Sequence, residues 1–197
     1  MKILGVSCSP KKQGNTINLV NEALNAAKTA GAEVELYSVA GKDLRPCDAC
    51  LACVKTGVCH IKDDMQELYT KLLEADGIIF GTPIYYYGMA AQAKIIIDRS
   101  CALRIRALAN KVGGVVVTAH SVGIVEALKD LYFYFVIRQM IPANFIAAYP
   151  KGELKDMQNT MKAATALGNQ MVRIAGLKFE YPKDIAGSLL AYGTQIL

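Results

Sequence analysis

The feature that most restricts the fold is a set of short, uninterrupted apolar runs ending in small or turn-forming residues: 2-KILGVS-7, 77-GIIFGTP-83 and 112-VGGVVVTAH-120. A strand with one wet face alternates apolar and polar residues. A continuous run implies burial on both faces, as in a parallel sheet covered by helices. Two further stretches, 33-EVELYSV-39 and 143-ANFIAAYP-150, are also strand candidates. Between the five lie segments with apolar residues at helical steps: Ile17, Val20, Leu24 and Ala27; Met65, Leu68, Leu72 and Leu73; Ile95 to Ile97; Val125, Leu128 and Leu131; and Met157, Met161, Thr165 and Leu167. Five strands alternating with five helices make an α/β chain with a doubly wound parallel sheet, whose ligands sit at the carboxyl ends of the strands. The loops after the first, third and fourth strands are therefore the functional candidates.

A chain of 197 residues fits one domain spanning 1–197, with a weakly patterned tail over 177–197 that could pack as an arm on a second subunit. No run of about 18 uncharged apolar residues occurs, which argues against a membrane span. The opening 1-MKILGVSCSP-10 is too short in apolar residues for a secretory signal, so the expected location is cytoplasmic. The net charge of +5 is dispersed, with no basic run longer than Lys11-Lys12, so nucleic acid is not an expected partner.

The run 7-SCSPKKQGNTINLV-20 joins the first strand to the first helix. Ser7, Ser9, Asn15 and Thr16 offer hydroxyl and amide groups, Gly14 permits close backbone approach, and Asn15 or Thr16 could cap a helix whose first amides attract an anion. The composition is that of a phosphate cradle, although helix capping alone also explains it. Neither the dinucleotide nor the nucleoside-triphosphate glycine fingerprint is met. Cys8 reads as a small buried residue.

With 81-GTPIYYYGMAAQAKIIIDR-99, the S-x-S-P-x-x-x-G-N-T run resembles the flavodoxin-like NAD(P)H-dependent FMN reductase superfamily over residues 1 to about 120. The resemblance implies a five-stranded sheet of order 2-1-3-4-5 and FMN as cofactor. Carried over by position, Ser7, Ser9, Lys11, Asn15 and Thr16 would contact the FMN phosphate. Thr82, Pro83, Ile84, Tyr85, Tyr86 and Tyr87 would line the flavin, and Thr118, Ser121 and Gly123, in the loop after the fourth strand, would close its third side. His120 could reach the pyrimidine edge, or simply be a turn residue. Lys94, Asp98 and Arg99 match a pattern of the superfamily, but an intrahelical ion pair or a subunit contact explains them better than catalysis.

Four of the six cysteines fall in 47-CDACLACVKTGVC-59, spaced C-x2-C-x2-C-x5-C. A reducing compartment makes a disulfide the weak reading. One tetrahedral zinc ion prefers ligands from two separated pairs, whereas a cubane cluster spreads its corners far enough for closely spaced cysteines to reach each one. Zinc, a cluster and free thiols remain the alternatives on spacing alone. Cys101 is remote in sequence, His60 directly follows the last cysteine as a bystander or a hydrogen-bonding neighbour, and Asp63-Asp64 suits the start of the next helix.

The compact cysteine motif in a cysteine-rich loop (45–63) after strand two resembles the iron-sulfur flavoprotein family of anaerobic archaea and bacteria. That resemblance implies one 4Fe-4S cluster on Cys47, Cys50, Cys53 and Cys59, with FMN nearby, in a homodimer or homotetramer. Electrons would pass from reduced ferredoxin or NAD(P)H to a quinone, an oxygen species or another carrier. No side chain is needed as acid or base. The competing readings are an NAD(P)H-dependent FMN or quinone reductase without a cluster, and a flavin-binding redox sensor. The run 132-YFYFVI-137 reads as either an interface or helix core.

Overall fold

The computed structural model describes residues 1–104, 106–150 and 157–182. Five parallel strands, β1 (Lys2–Ser7), β2 (Glu33–Ser38), β3 (Gly77–Tyr85), β5 (Val112–Thr118) and β6 (Ile141–Ala148), form a sheet in the order β2-β1-β3-β5-β6. The short β4 (Gly88–Met89) folds back antiparallel on Ile84 and Tyr85 at the end of β3. Setting this hairpin aside, the order is the expected 2-1-3-4-5.

Period-two geometry sends successive side chains of the central strands to opposite faces. Ile3, Ile79 and Val116 pack against Leu19, Val20 and Leu24 of α1 (Asn15–Thr29) and against Leu167 and Met171 of α6 (Gln158–Gly176). Leu4, Ile78 and Val115 pack on the other face against Leu68 and Leu72 of α3 (Met65–Glu74), Ile96 of α4 (Ala91–Arg99), and Leu131 and Phe135 of α5 (Ile124–Ile137). Each such side chain contributes about 1.5–3 kcal/mol on burial, which is why the central runs carry no polar alternation. The edge strands β2 and β6 are less buried and read less cleanly in the sequence.

One seam leaves no room for a methyl group. At Gly168 an added Cβ would sit 2.0 Å from the Ala23 carbonyl oxygen, so α6 lies directly on the backbone of α1. The helix that begins at the phosphate-type loop is thereby held from behind.

Three details depart from the expected elements. A one-turn helix, α2 (Ala52–Thr56), lies within the cysteine-rich loop, where spacing alone gave no helix. The run 132-YFYFVI-137 is divided: Tyr134 and Phe135 are core, while Phe133, Val136 and Ile137 face outward. The tail read over 177–197 is described only to Pro182, and the rest of it lies outside the described residues.

Candidate functional site

The loops following β1, β3 and β5, with Pro150 just past β6, meet at the carboxyl end of the sheet around a cavity of about 320 Å³. Ser9, Lys11, Gln13, Gly14, Asn15 and Thr16 form one wall, Pro83, Ile84 and Tyr85 a second, and Thr118, Ala119, His120 and Pro150 a third. The first and third walls are tied by a 2.7 Å hydrogen bond between the hydroxyls of Thr16 and Thr118. Thr16 is therefore a bridge between loops rather than a helix cap. The residue at the cap position is Gly14, and no side chain caps the first turn of α1. The amides at that helix end are left available to an anion.

Ser7 does not reach the cavity wall, but its hydroxyl is fully buried and has no hydrogen-bond partner among the described residues. An unpartnered buried hydroxyl is costly unless something absent from the chain satisfies it. An uncapped helix start, a free lysine and an orphaned hydroxyl on one loop fit a phosphate-bearing group. Cys8 is wholly buried and its thiol is pushed up to about 12 by desolvation, in keeping with a packing role.

Of the other residues carried over from the resemblance, Thr82 is turned inward: its hydroxyl donates to the Pro83 carbonyl (2.9 Å) and accepts from the Ala90 amide (3.1 Å). Tyr86 and Tyr87 adopt left-handed backbone angles (φ 48° and 70°), and Tyr86 is 98% exposed. Only Tyr85 of the three tyrosines lines the cavity. Ser121 is exposed outside it, and Gly123 has a backbone role. With φ 101° it sits against the tyrosine turn, where a Cβ would come within 2.6 Å of the Tyr87 carbonyl oxygen. His120 is exposed on the third wall.

The cysteine-rich loop forms a second, smaller cavity of about 110 Å³, walled by Cys47, Cys50, Cys53 and Cys59 together with Cys101 and Arg99. Its neck is closed by two carboxylates. Asp63 accepts from the Arg45 amide (2.9 Å) and Asp64 from the Asp43 amide (2.7 Å). Asp64 occupies the cap position of α3 and Asp63 also accepts from the amide of Met65, the first residue of that helix (3.2 Å), so the acidic pair opens the helix as expected and closes the neck as well. Within the motif Ala49 and Leu51 have left-handed φ of 57° and 59°. Such angles cost energy for residues with a side chain and persist where surrounding structure imposes them.

Arg99 is the principal residue that sequence reasoning misplaced. It makes no intrahelical pair; Lys94 and Asp98 do so between themselves at 2.6 Å. Arg99 is 1% exposed and reaches from α4 into the cysteine loop. One terminal nitrogen pairs with Asp63 and bonds the Arg45 carbonyl (3.1 Å), and the other donates to the Ile61 carbonyl (3.2 Å) and to Cys59 Sγ (3.4 Å). Its Nε is buried and unpartnered among the described residues. Burial, the largest single influence on Asp63, opposes its ionisation, but the Arg99 hydrogen bond and charge and the amides of Arg45 and Met65 together outweigh it and hold the carboxyl below the usual carboxylate range. In the sequence Arg99 stood out only as the end of an apolar helix face and as part of the Lys94, Asp98 and Arg99 pattern, neither of which ties it to the cysteines.

Two thiolates on one tetrahedral ion with metal–sulfur bonds of about 2.3 Å lie about 3.8 Å apart. No three cysteines of the cavity bring their sulfurs within 4.8 Å of one another. The one trio of possible ligands that does so among the described residues is Asp48, Cys50 and His60. All three are exposed, only one is a thiol, and the His60–Asp48 contact of 2.8 Å is an ordinary surface pair. A ring of thiols too open for a single ion, with a buried guanidinium beside one sulfur, fits a polynuclear anionic group.

A doubly wound sheet with an anion cradle at its switch point and a thiol-lined cavity after β2 defines a redox protein of the flavodoxin-like class. The profile of the family described as NADPH-dependent FMN reductase matches residues 1–152. An iron-sulfur flavoprotein of Methanocaldococcus jannaschii is 46% identical over 144 residues, covering 72% of this chain and 75% of that protein. One from Archaeoglobus fulgidus is 31% identical over 190 residues, covering 93% and 85%. Among solved structures, a flavone reductase superposes with a TM-score of 0.76 at 21% identity, covering 93% of this chain and 66% of that one. A WrbA-like flavodoxin of Agrobacterium tumefaciens does so with a TM-score of 0.66 at 16% identity, covering 90% and 98%; these two likenesses speak for the fold. The chain belongs to the iron-sulfur flavoproteins within the NADPH-dependent FMN reductase family, and it is a flavin-dependent oxidoreductase. None of its described helices is long and apolar enough to cross a membrane.

Proposed function

We propose that the protein transfers electrons between FMN, held in the cavity between the three loops, and a 4Fe-4S cluster on Cys47, Cys50, Cys53 and Cys59. The observation that carries this reading is the sulfur geometry: the four motif thiols wall one cavity, yet no three are close enough for one small ion. When bound, FMN can accept a hydride and release electrons singly while a 4Fe-4S centre passes one at a time, so the pair supplies conversion between two-electron and one-electron chemistry.

The chain's own residues bind and position. Ser9, Lys11, Asn15 and the first amides of α1 hold the phosphate, with the buried Ser7 hydroxyl behind them; Pro83, Ile84 and Tyr85 form the apolar wall that excludes water from the ring. Arg99 fixes the cysteine loop and offsets negative charge beside Cys59. Donors are reduced ferredoxin or NAD(P)H, and a second copy of the chain covering Phe133, Val136 and Ile137 of α5 is consistent with their 67%, 50% and 39% exposure.

The test is anaerobic purification followed by absorbance and by iron, acid-labile sulfide, zinc and FMN analysis. About four irons and four sulfides per flavin are expected. Flavin with neither iron nor sulfide, even after reconstitution, would leave an FMN or quinone reductase without a cluster.

A further inference from the structure

The cysteine cavity has five sulfurs on its wall, one more than a four-cornered cluster uses. The fifth belongs to Cys101, on a 3₁₀ turn (Ser100–Ala102) that directly follows α4 and lies outside the motif. Its Sγ is 3.9 Å from that of Cys53, close to the ~3.8 Å edge between two sulfurs on one tetrahedral metal centre. The two thiols are thus close enough for one to take the other's place at a single iron corner, which accepts one terminal thiolate.

The two cysteines are held differently. Cys53 sits in α2, which buries no residue. The turn bearing Cys101 is pinned through its neighbour Ser100, whose hydroxyl donates to the Ile97 carbonyl (2.7 Å) and accepts from Arg138 (2.8 Å). One thiol therefore rides on the surface loop, and the other is fixed to the body of the domain.

We propose that Cys101 is a standby ligand, able to take the iron corner held by Cys53 when that thiolate detaches or is absent. The inference rests on the cluster reading above. The exchange moves no electrons: the Cys101 Sγ–iron bond forms, the Cys53 Sγ–iron bond breaks, and the proton released by the first thiol is taken up by the second. The body of the domain would keep the cluster attached through a transient opening of α2.

The experiment compares wild type with Cys53→Ala, Cys50→Ala, Cys101→Ala and Cys53→Ala/Cys101→Ala, all prepared anaerobically. FMN per chain serves as the folding control. Iron and sulfide are counted, the dithionite-reduced electron paramagnetic resonance spectrum is recorded, and free thiols are alkylated and located by mass spectrometry. Wild type and Cys101→Ala should carry about four irons. Cys53→Ala should keep them, with altered g-values and with Cys101 alkylated less than in wild type under the same alkaline conditions. Cys50→Ala and the double variant should lose most of the iron.

If Cys53→Ala loses iron as completely as Cys50→Ala while wild type is loaded, the standby role is overturned and the cluster stands. A Cys101 that stays open to alkylation in an iron-loaded Cys53→Ala protein overturns it equally. Wild type without iron or sulfide would instead sink the cluster reading itself.

Discussion

Arg99 of α4 and Asp63 at the neck of the cysteine loop form an ion pair in which neither side chain exposes any surface. The guanidinium serves as a rivet, since the same group also bonds the backbone at Arg45 and Ile61 on both sides of the motif. Removing one member of a buried pair leaves the other charge unpaired, at about 3–5 kcal/mol. Arg99→Gln should therefore destabilise the apoprotein by about 3 kcal/mol in denaturant titration, and amide exchange over residues 45–62 should rise more than in the sheet. An unchanged exchange pattern in the loop would show that the rivet does not hold it.

The same pair sets an acid limit. A carboxyl whose folded pKa is depressed contributes stability that is fully present above its unfolded value of about 3.9 and is lost as pH falls through the lower folded value. The stability gap between wild type and Asp63→Asn should stay constant from neutrality to about pH 5 and shrink below about pH 4. A gap that widens on acidification would contradict the direction assigned to Asp63. Denaturant midpoints at a series of pH values measure it.

The orphaned hydroxyl of Ser7 separates a binding role from a packing role. If a phosphate oxygen satisfies it, Ser7→Ala should weaken FMN about tenfold, equivalent to about 1.4 kcal/mol, in a flavin-fluorescence titration. The apoprotein should lose no stability, because a hydroxyl with no partner is removed. Unchanged affinity would take Ser7 out of the cradle.

Gly168 tests the support behind the cradle. Alanine is ordinarily the better helix former by about 1 kcal/mol, but here its methyl would meet the Ala23 carbonyl. Overpacking against backbone costs about 1–3 kcal/mol, so Gly168→Ala should lower Tm by several degrees and loosen FMN binding through displacement of α1. A raised Tm would mean that the two helices part freely.

The sheet was legible because its central strands are buried on both faces and show uninterrupted apolar runs. The ends of β6 were not, since an edge strand with one wet face carries a broken pattern. The cradle was legible as a loop, with Ser9, Lys11, Asn15 and Thr16 on one wall, but hydrogen-bond partners are chosen in three dimensions. Thr16 reaches Thr118 across 102 positions, and Thr82 turns inward to Ala90.

Local composition and periodicity determined the α/β class, the alternation of strands and helices, and the compact cysteine motif, because burial and spacing are written into neighbouring residues. Only the tertiary structure decided what surrounds that motif. Arg99 and Cys101 lie 40 and 48 positions from Cys59 and Cys53, and no local pattern ties them to the motif. Their place beside the sulfurs follows from packing α4 against the same face of the sheet that supports the loop, which is a property of the whole fold.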